Sequence, residues 1–256
     1  MLLAIDVGNS NIVFGLYENN KLVFSENVKT DALRTAVEHS VIIDGILSLH
    51  GFNPRELSGV AISSVVPPLA PAIREAVRKI RHDIPFFAVG PGVKTGLNIR
   101  IDDPGELGSD LCCTSVGAID RYPLPAIVID LGTATKISAV DESKSFAGCS
   151  IAPGVLVSLG ALSRSAALLP SVGISNNIKV IGTNSEDSML SGSLLGTACM
   201  IDGMIDRFKE KMGDVKSIIA CGGLVDSVIP HCRHEIITDH HLLLEGLISI
   251  YRKNIN

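Results

Sequence analysis

Short apolar runs alternate with polar turns at the start of the chain. Leu2–Val7 runs into Gly8-Asn9-Ser10-Asn11, residues 12–17 run into Glu18-Asn19-Asn20, and residues 22–24 form a third run. Apolar runs bounded by Gly and Asn clusters predict a meander of strands joined by hairpins. The period then changes. Leu33, Val37, Ile42, Ile46 and Leu49 follow Asp31 and precede Gly51, the pattern of a helix capped by Asp31 and closed by glycine. Residues 60–65, closed by Pro67-Pro68, predict a strand, and Leu69, Ile73, Val77 and Ile80 predict a helix. A strand over 85–89, a Gly/Pro-punctuated loop over 90–103 and a helix over 107–119 follow.

The opening then recurs. Residues 126–130 are apolar up to Asp130, and Val-Ile-Asp-Leu-Gly-Thr-Ala-Thr at 128–135 matches Ala-Ile-Asp-Val-Gly-Asn-Ser-Asn at 4–11. Asp6 and Asp130 lie 124 residues apart in a chain of 256, which points to two like domains, expected at 1–118 and 119–256. Helical stretches at 155–169 and 186–212, a strand at 217–220 before Gly222-Gly223, and a helix at 242–252 complete the second half. Strands followed by helices, twice over, predict a mixed α/β fold.

Composition narrows the function classes. With 46% hydrophobic and 19% charged residues the chain buries ordinary cores, which excludes wholesale disorder. A net charge of −5 and 4% aromatics, without tryptophan, argue against a nucleic-acid partner, which needs a basic face or stacking platforms. No apolar run reaches a membrane span, and Met-Leu-Leu-Ala-Ile meets Asp6 without a basic flank, so neither a membrane partner nor a secretory signal is expected. The six cysteines form no Cys-x-x-Cys pair and read as buried thiols of a cytoplasmic protein. His231, His234, His240 and His241 lack metal-ligand spacing and read as a surface cluster.

The repeated turn suits polyphosphate. Glycine after Asp-x lets backbone N–H groups face phosphate oxygens, and Asn9, Ser10 and Thr133 add short donors. A carboxylate beside a polyphosphate is repulsive, so Asp6 and Asp130 call for a cation between. The chain has no P-loop, and the glycines at 90, 92 and 96 miss dinucleotide spacing. Gly222-Gly223 after an apolar run permits close approach of adenine or ribose, or is a plain strand-to-helix turn.

Together, Asp6-Val7-Gly8-Asn9-Ser10-Asn11, Gly92-Val93-Lys94-Thr95-Gly96-Leu97, Asp103-Pro104 with Leu107-Gly108-Ser109-Asp110, Asp130-Leu131-Gly132-Thr133-Ala134-Thr135 and Ile151-Ala152-Pro153-Gly154 resemble the type III pantothenate kinases. That resemblance implies a duplicated actin-like (ribonuclease-H-like) fold, with two similar mixed-sheet domains and a nucleotide cleft between them. It implies ATP-dependent phosphorylation of pantothenate, Mg²⁺, a monovalent cation (potassium or ammonium) and a homodimer. Carried over by residue, Asp6, Val7, Gly8, Asn9, Ser10, Asn11, Ile12 and Val13 would hold the ATP phosphates, with Asp6 reaching Mg²⁺ through water. Thr133 would contact ATP, Asp130 would hold the monovalent cation, and Asp110 would be the general base. Ile101, Gly108, Ser109, Asp110 and Leu111 would line the acceptor site, with Ser185 reaching it from a partner subunit.

The departures fall mostly on the acceptor side. Leu111 stands where the family has Arg, Ile101 where it has Tyr, and Ser185 where it has Thr. Lys136 replaces a second Thr just outside the cation motif, and Cys149 replaces a Gly. A guanidinium is the natural bidentate partner of an acceptor carboxylate, so Lys94 or Arg100 would have to substitute. Three readings follow: a pantothenate kinase with a repaired pocket, a kinase of the same fold for another hydroxylated acceptor, or a non-catalytic ATP-binding regulator.

Overall fold

A computed structural model describes residues 1–175 and 177–255, which divide into two compact units. The first comprises residues 1–96, 105–120 and 243–256, and the second residues 97–104 and 121–242. A single cut at 118/119 therefore does not describe these units. The C-terminal segment packs with the first, as Gly246 shows: a Cβ there would lie 1.8 Å from the Cys113 carbonyl oxygen. Only a residue without a side chain permits that helix-to-helix approach.

In the first unit, β1 (Leu2–Val7), β2 (Asn11–Glu18) and β3 (Lys21–Lys29) form the predicted antiparallel meander. β4 (Gly59–Ser64) pairs parallel to β1, and β5 (Phe86–Ala88) parallel to β4, giving the order β3-β2-β1-β4-β5. Strand β1 is central, and Leu3, Ile5 and Val7, which share one of its faces, join Ile12, Phe14, Ile43, Ile62 and Ile73 in one core. Helix α1 (Ala36–Leu49) begins after Thr35, not Asp31. Thr35 and Glu38 form a reciprocal capping box, while Asp31 accepts from Leu33 N in the preceding turn. Helix α2 (Leu69–Ile80) has the predicted bounds, and α3 (Ser109–Arg121) starts two residues later than its periodicity suggests.

The second unit repeats the plan. β6 (Asn98–Ile99) pairs with an edge of a sheet built from β7 (Ala126–Leu131), β8 (Ala134–Val140), β9 (Ser145–Pro153), β10 (Ser217–Cys221) and β11 (Ile237–Thr238). β7, β8 and β9 are antiparallel, whereas β10 is parallel to β7 and β11 to β10. From β9 to β11 the order is β9-β8-β7-β10-β11, the same as in the first unit. The duplication read from the two Asp-x-Gly turns thus extends to the whole sheet.

Helix α4 (Val155–Ser165) is followed by α5 (Ser185–Leu190), a π-helical turn at Ser191–Leu195, and α6 (Gly196–Met212). The continuous helix Ser185–Met212 is long and apolar enough to cross a membrane by length and composition. Its apolar face is used otherwise: Met189, Leu190, Leu194, Ala198, Ile201 and Ile205 are buried in the second core with Ile127, Ile129 and Val225. Helices α7 (Val225–Val228) and α8 (Leu242–Ile255) complete the chain.

Candidate nucleotide and acceptor site

The first Asp-x-Gly turn is a tied hairpin. Gly8 N donates to Asn11 O at 3.0 Å, closing the turn between β1 and β2. Thr30, just past β3, straps it from the side: its Oγ1 donates to Gly8 O at 2.7 Å and its N to Ser10 O at 2.9 Å. Asn9, Ser10 and Asn11 are exposed at the tip, whereas Val7 and Ile12 are buried beneath it. Polar donors are thereby presented on a rigid base, a geometry that receives anions at low ordering cost. Nothing in the local pattern announces Thr30; a β3 longer than its apolar core was the missing clue.

The candidate base stands at the same end of that sheet. Asp6 and Val7 on β1 lie beside Ser63 and Ser64 on β4. Ser109, the first residue of α3, accepts from Ser63 Oγ at 3.1 Å and from Ser64 N at 3.0 Å. The helix start is therefore fixed to the strand next to the one that carries the first Asp-x-Gly turn. Asp110 Oδ1 accepts from Leu111 N at 2.8 Å, and a Cβ on Gly108 would lie 2.5 Å from that oxygen. Gly108 leaves the space in which the carboxylate lies. Burial raises the Cys113 thiol pKa well above its usual range; Cys112, Asp6 and Asp110 push it further. Leu111 is buried.

The second turn lies between β7 and β8 and is one residue shorter. Gly132 N donates to Ala134 O at 3.1 Å, and Gly154 N to Thr133 O at 3.1 Å. Thr133 is exposed at the tip. Gly222, with φ +101, sits against β7: a Cβ there would lie 2.6 Å from Leu131 O. Asp130 and Lys136 are directly opposed across the strand pair, and Lys136 Nζ lies 2.6 Å from Asp130 Oδ2. The sequence places Lys136 just outside the cation motif; the register places its ammonium on the motif's carboxylate.

Gly108, Ser109, Asp110 and Leu111 are contiguous in the first unit, whereas Ile101 and Ser185 belong to the second. Ile101 is half-buried in the bend after β6. Ser185 opens α5 and lines a cavity of about 550 Å³ with Leu162, Leu169, Gly182, Met189 and Gly192. Of the two cations suited to replace the missing arginine, Arg100 is drawn to Asp141 at 3.4 Å. Among the described residues no three His, Cys, Asp or Glu side chains group to hold a metal. His234 pairs with Asp206 and His240 with Asp226 instead.

Known proteins resemble this arrangement over its full length. A family model described as type III pantothenate kinase matches residues 2–207. A type III pantothenate kinase of Halalkalibacterium halodurans is 38% identical over 255 residues, covering 100% of each chain. A Campylobacter jejuni protein of the Baf transcriptional-activator family has the same fold at TM-score 0.62 and 18% identity, covering 98% of each chain. The activator of 2-hydroxyisocaproyl-CoA dehydratase from Clostridium difficile, solved with ADPNP, follows at TM-score 0.54 and 13% identity, covering 98% of this chain and 95% of its own. The fold is the duplicated actin-like α/β fold, and the chain belongs to the type III pantothenate kinase family.

Proposed function

We propose that this protein transfers the γ-phosphoryl group of ATP to the hydroxyl of pantothenate, forming 4′-phosphopantothenate, the first step toward coenzyme A. The observation that carries the reading is Asp110. The chain carries a carboxylate on the first turn of α3, seated over Gly108 and fixed through Ser109 to β4, the neighbour of the strand bearing the first Asp-x-Gly turn. A pure nucleotide binder has no use for such a group.

In this reading Gly8, Asn9, Ser10 and Asn11 bind the phosphates with backbone and side-chain donors, and Thr133 contributes from the second turn. Asp110 accepts the proton of the attacking hydroxyl, and Ser109 holds the helix start so that the carboxylate keeps its position. Phosphoryl transfer asks mainly for positioning and charge neutralisation, so one placed carboxylate is a sufficient base. With no ligand cluster among the described residues, Mg²⁺ fits as an ion carried mainly by nucleotide oxygens and water, with Asp6 as its protein-side carboxylate. When bound, Mg²⁺ neutralises phosphate charge. Ile101, Gly108, Leu111 and Ser185 are assigned to the acceptor, Ser185 from a second copy.

A cytoplasmic homodimer completes the proposal. Ile151, Leu156, Val157 and Leu162 on β9 and α4 are large, apolar and exposed, the kind of surface a second copy covers. The buried Leu111, where the family's arginine is expected, favours a second reading in which the same chemistry serves an acceptor without a carboxylate.

Asp110→Asn tests the role of the base. Nucleotide affinity, measured calorimetrically, is expected to stay near wild type while transfer falls by about 10²–10⁴-fold. Loss of nucleotide binding in this variant, or retention of full turnover, would remove Asp110 from the mechanism.

A further inference from the structure

The resemblance implies a monovalent cation on Asp130, but the residues present do not fit one. Asp130 and Lys136 are cross-strand partners on one face of the β7–β8 hairpin, with their side chains only 13% and 14% exposed. Lys136 Nζ contacts Asp130 Oδ2 at 2.6 Å, while a Cβ on Gly132 would meet Asp130 Oδ1 at 3.6 Å. The carboxylate therefore lies over the turn with one oxygen held by an ammonium. A carboxylate so far removed from water requires a positive partner, and here the chain supplies it. A second cation on the same oxygen would stand at contact distance from the ammonium and be repelled.

The rest of the hairpin agrees. Thr135 is paired with Leu131, one position along, so strand alternation sends its hydroxyl to the opposite face; its Oγ1 is buried and cannot serve as a ligand beside Asp130. The equivalent hairpin of the first unit provides an internal comparison. There the residue opposite Asp6 is Val13, so the in-strand cation belongs to the second turn only.

We infer that the Lys136 ammonium is the resident cation of the Asp130 turn, so that this protein neither binds a monovalent ion there nor needs one to bind nucleotide. The second clause rests on the kinase reading above; the first stands on the ion pair alone. The test compares wild type with Lys136→Thr in buffers whose monovalent cation is potassium, ammonium or the bulky choline ion. ADP affinity with Mg²⁺ is measured by calorimetry, and cation binding by anomalous scattering from rubidium-soaked crystals. Wild type is expected to keep its ADP affinity within about twofold across the three buffers and to show no rubidium on Asp130. Lys136→Thr is expected to lose about tenfold in choline, to recover in potassium, and to show rubidium at Asp130. Tenfold tighter ADP binding by wild type in potassium, or a rubidium peak on its Asp130 carboxylate, would overturn the inference, and neither readout depends on the variant folding. Absence of ADP binding in every buffer would count against the kinase reading and the second clause, while the rubidium measurement still decides the first.

Discussion

Replacing Gly222 by alanine would press a methyl group into the backbone of β7. The residue sits at φ +101, and the new Cβ would lie 2.6 Å from Leu131 O, 2.7 Å from Leu131 C and 2.8 Å from Leu131 N. None of these atoms belongs to a flexible side chain, so relief requires moving the strand next to Asp130. The unfavourable φ costs about 1–3 kcal/mol and the overpacking about 1–3 kcal/mol, together about 2–6 kcal/mol. At about 2–4 °C per kcal/mol for a unit of this size, thermal unfolding should shift down by roughly 5–20 °C. Gly223→Ala is the matched control, because a Cβ there meets nothing within 4 Å; its cost should stay within about 0.5 kcal/mol. The assay is scanning calorimetry of both variants beside wild type. Equal melting temperatures for the two would refute the claim that Gly222 is required by its approach to Leu131.

Two further outcomes follow from burial. His39 is fully buried with neither ring nitrogen hydrogen-bonded, and its pKa is lowered by burial first and by Arg34, against opposing pulls from Glu38 and Asp31. The folded state therefore binds its proton less readily than the unfolded state, and stability is full above the unfolded pKa and declines as pH falls below about 6.5, by at most about 1.4 kcal/mol per pH unit. His39→Leu should flatten that decline in urea titrations between about pH 6.5 and 5, and an unchanged slope would show that His39 does not titrate on unfolding. Burial also raises the thiol pKa of Cys112 to about 11 and of Cys232 to about 12, while Cys149 and Cys199 are exposed, which corrects the expectation that all six thiols are buried. Alkylation at neutral pH followed by peptide mapping should modify Cys149 and Cys199 first, and early modification of Cys112 or Cys113 would contradict the packing of α3.

Strands β1, β2, β4, β7 and β10 and the repeat are legible because most of their residues are buried, and burial writes itself into the hydrophobic pattern. Leu2–Val7 and Leu69–Ile80 are read with their observed bounds. The start of α1 is ambiguous in the sequence because Asp31 and Thr35 are both competent caps; the reciprocal bond to Glu38 decides between them. Strand β9 leaves no such pattern, because its exposed and half-buried positions, from Ala147 to Pro153, carry no sustained apolar run. At the candidate site, the Asp-x-Gly turns and Asp110 stand in contiguous motifs. Thr30, Ser63 and Lys136 do not: each matters through a strand register or a tie across the sheet, which spacing along the chain cannot reveal. Lys136 shows the difference most clearly. Six residues from Asp130 in sequence, it is the directly opposed residue once the turn length is known.

The central claim is the transfer reaction itself. Purified wild-type protein, incubated with Mg-ATP and pantothenate in potassium buffer and followed by mass spectrometry, should produce 4′-phosphopantothenate together with ADP. Nucleotide bound without phosphorylated pantothenate would contradict the proposed acceptor and direct the search to hydroxylated compounds that lack a carboxylate.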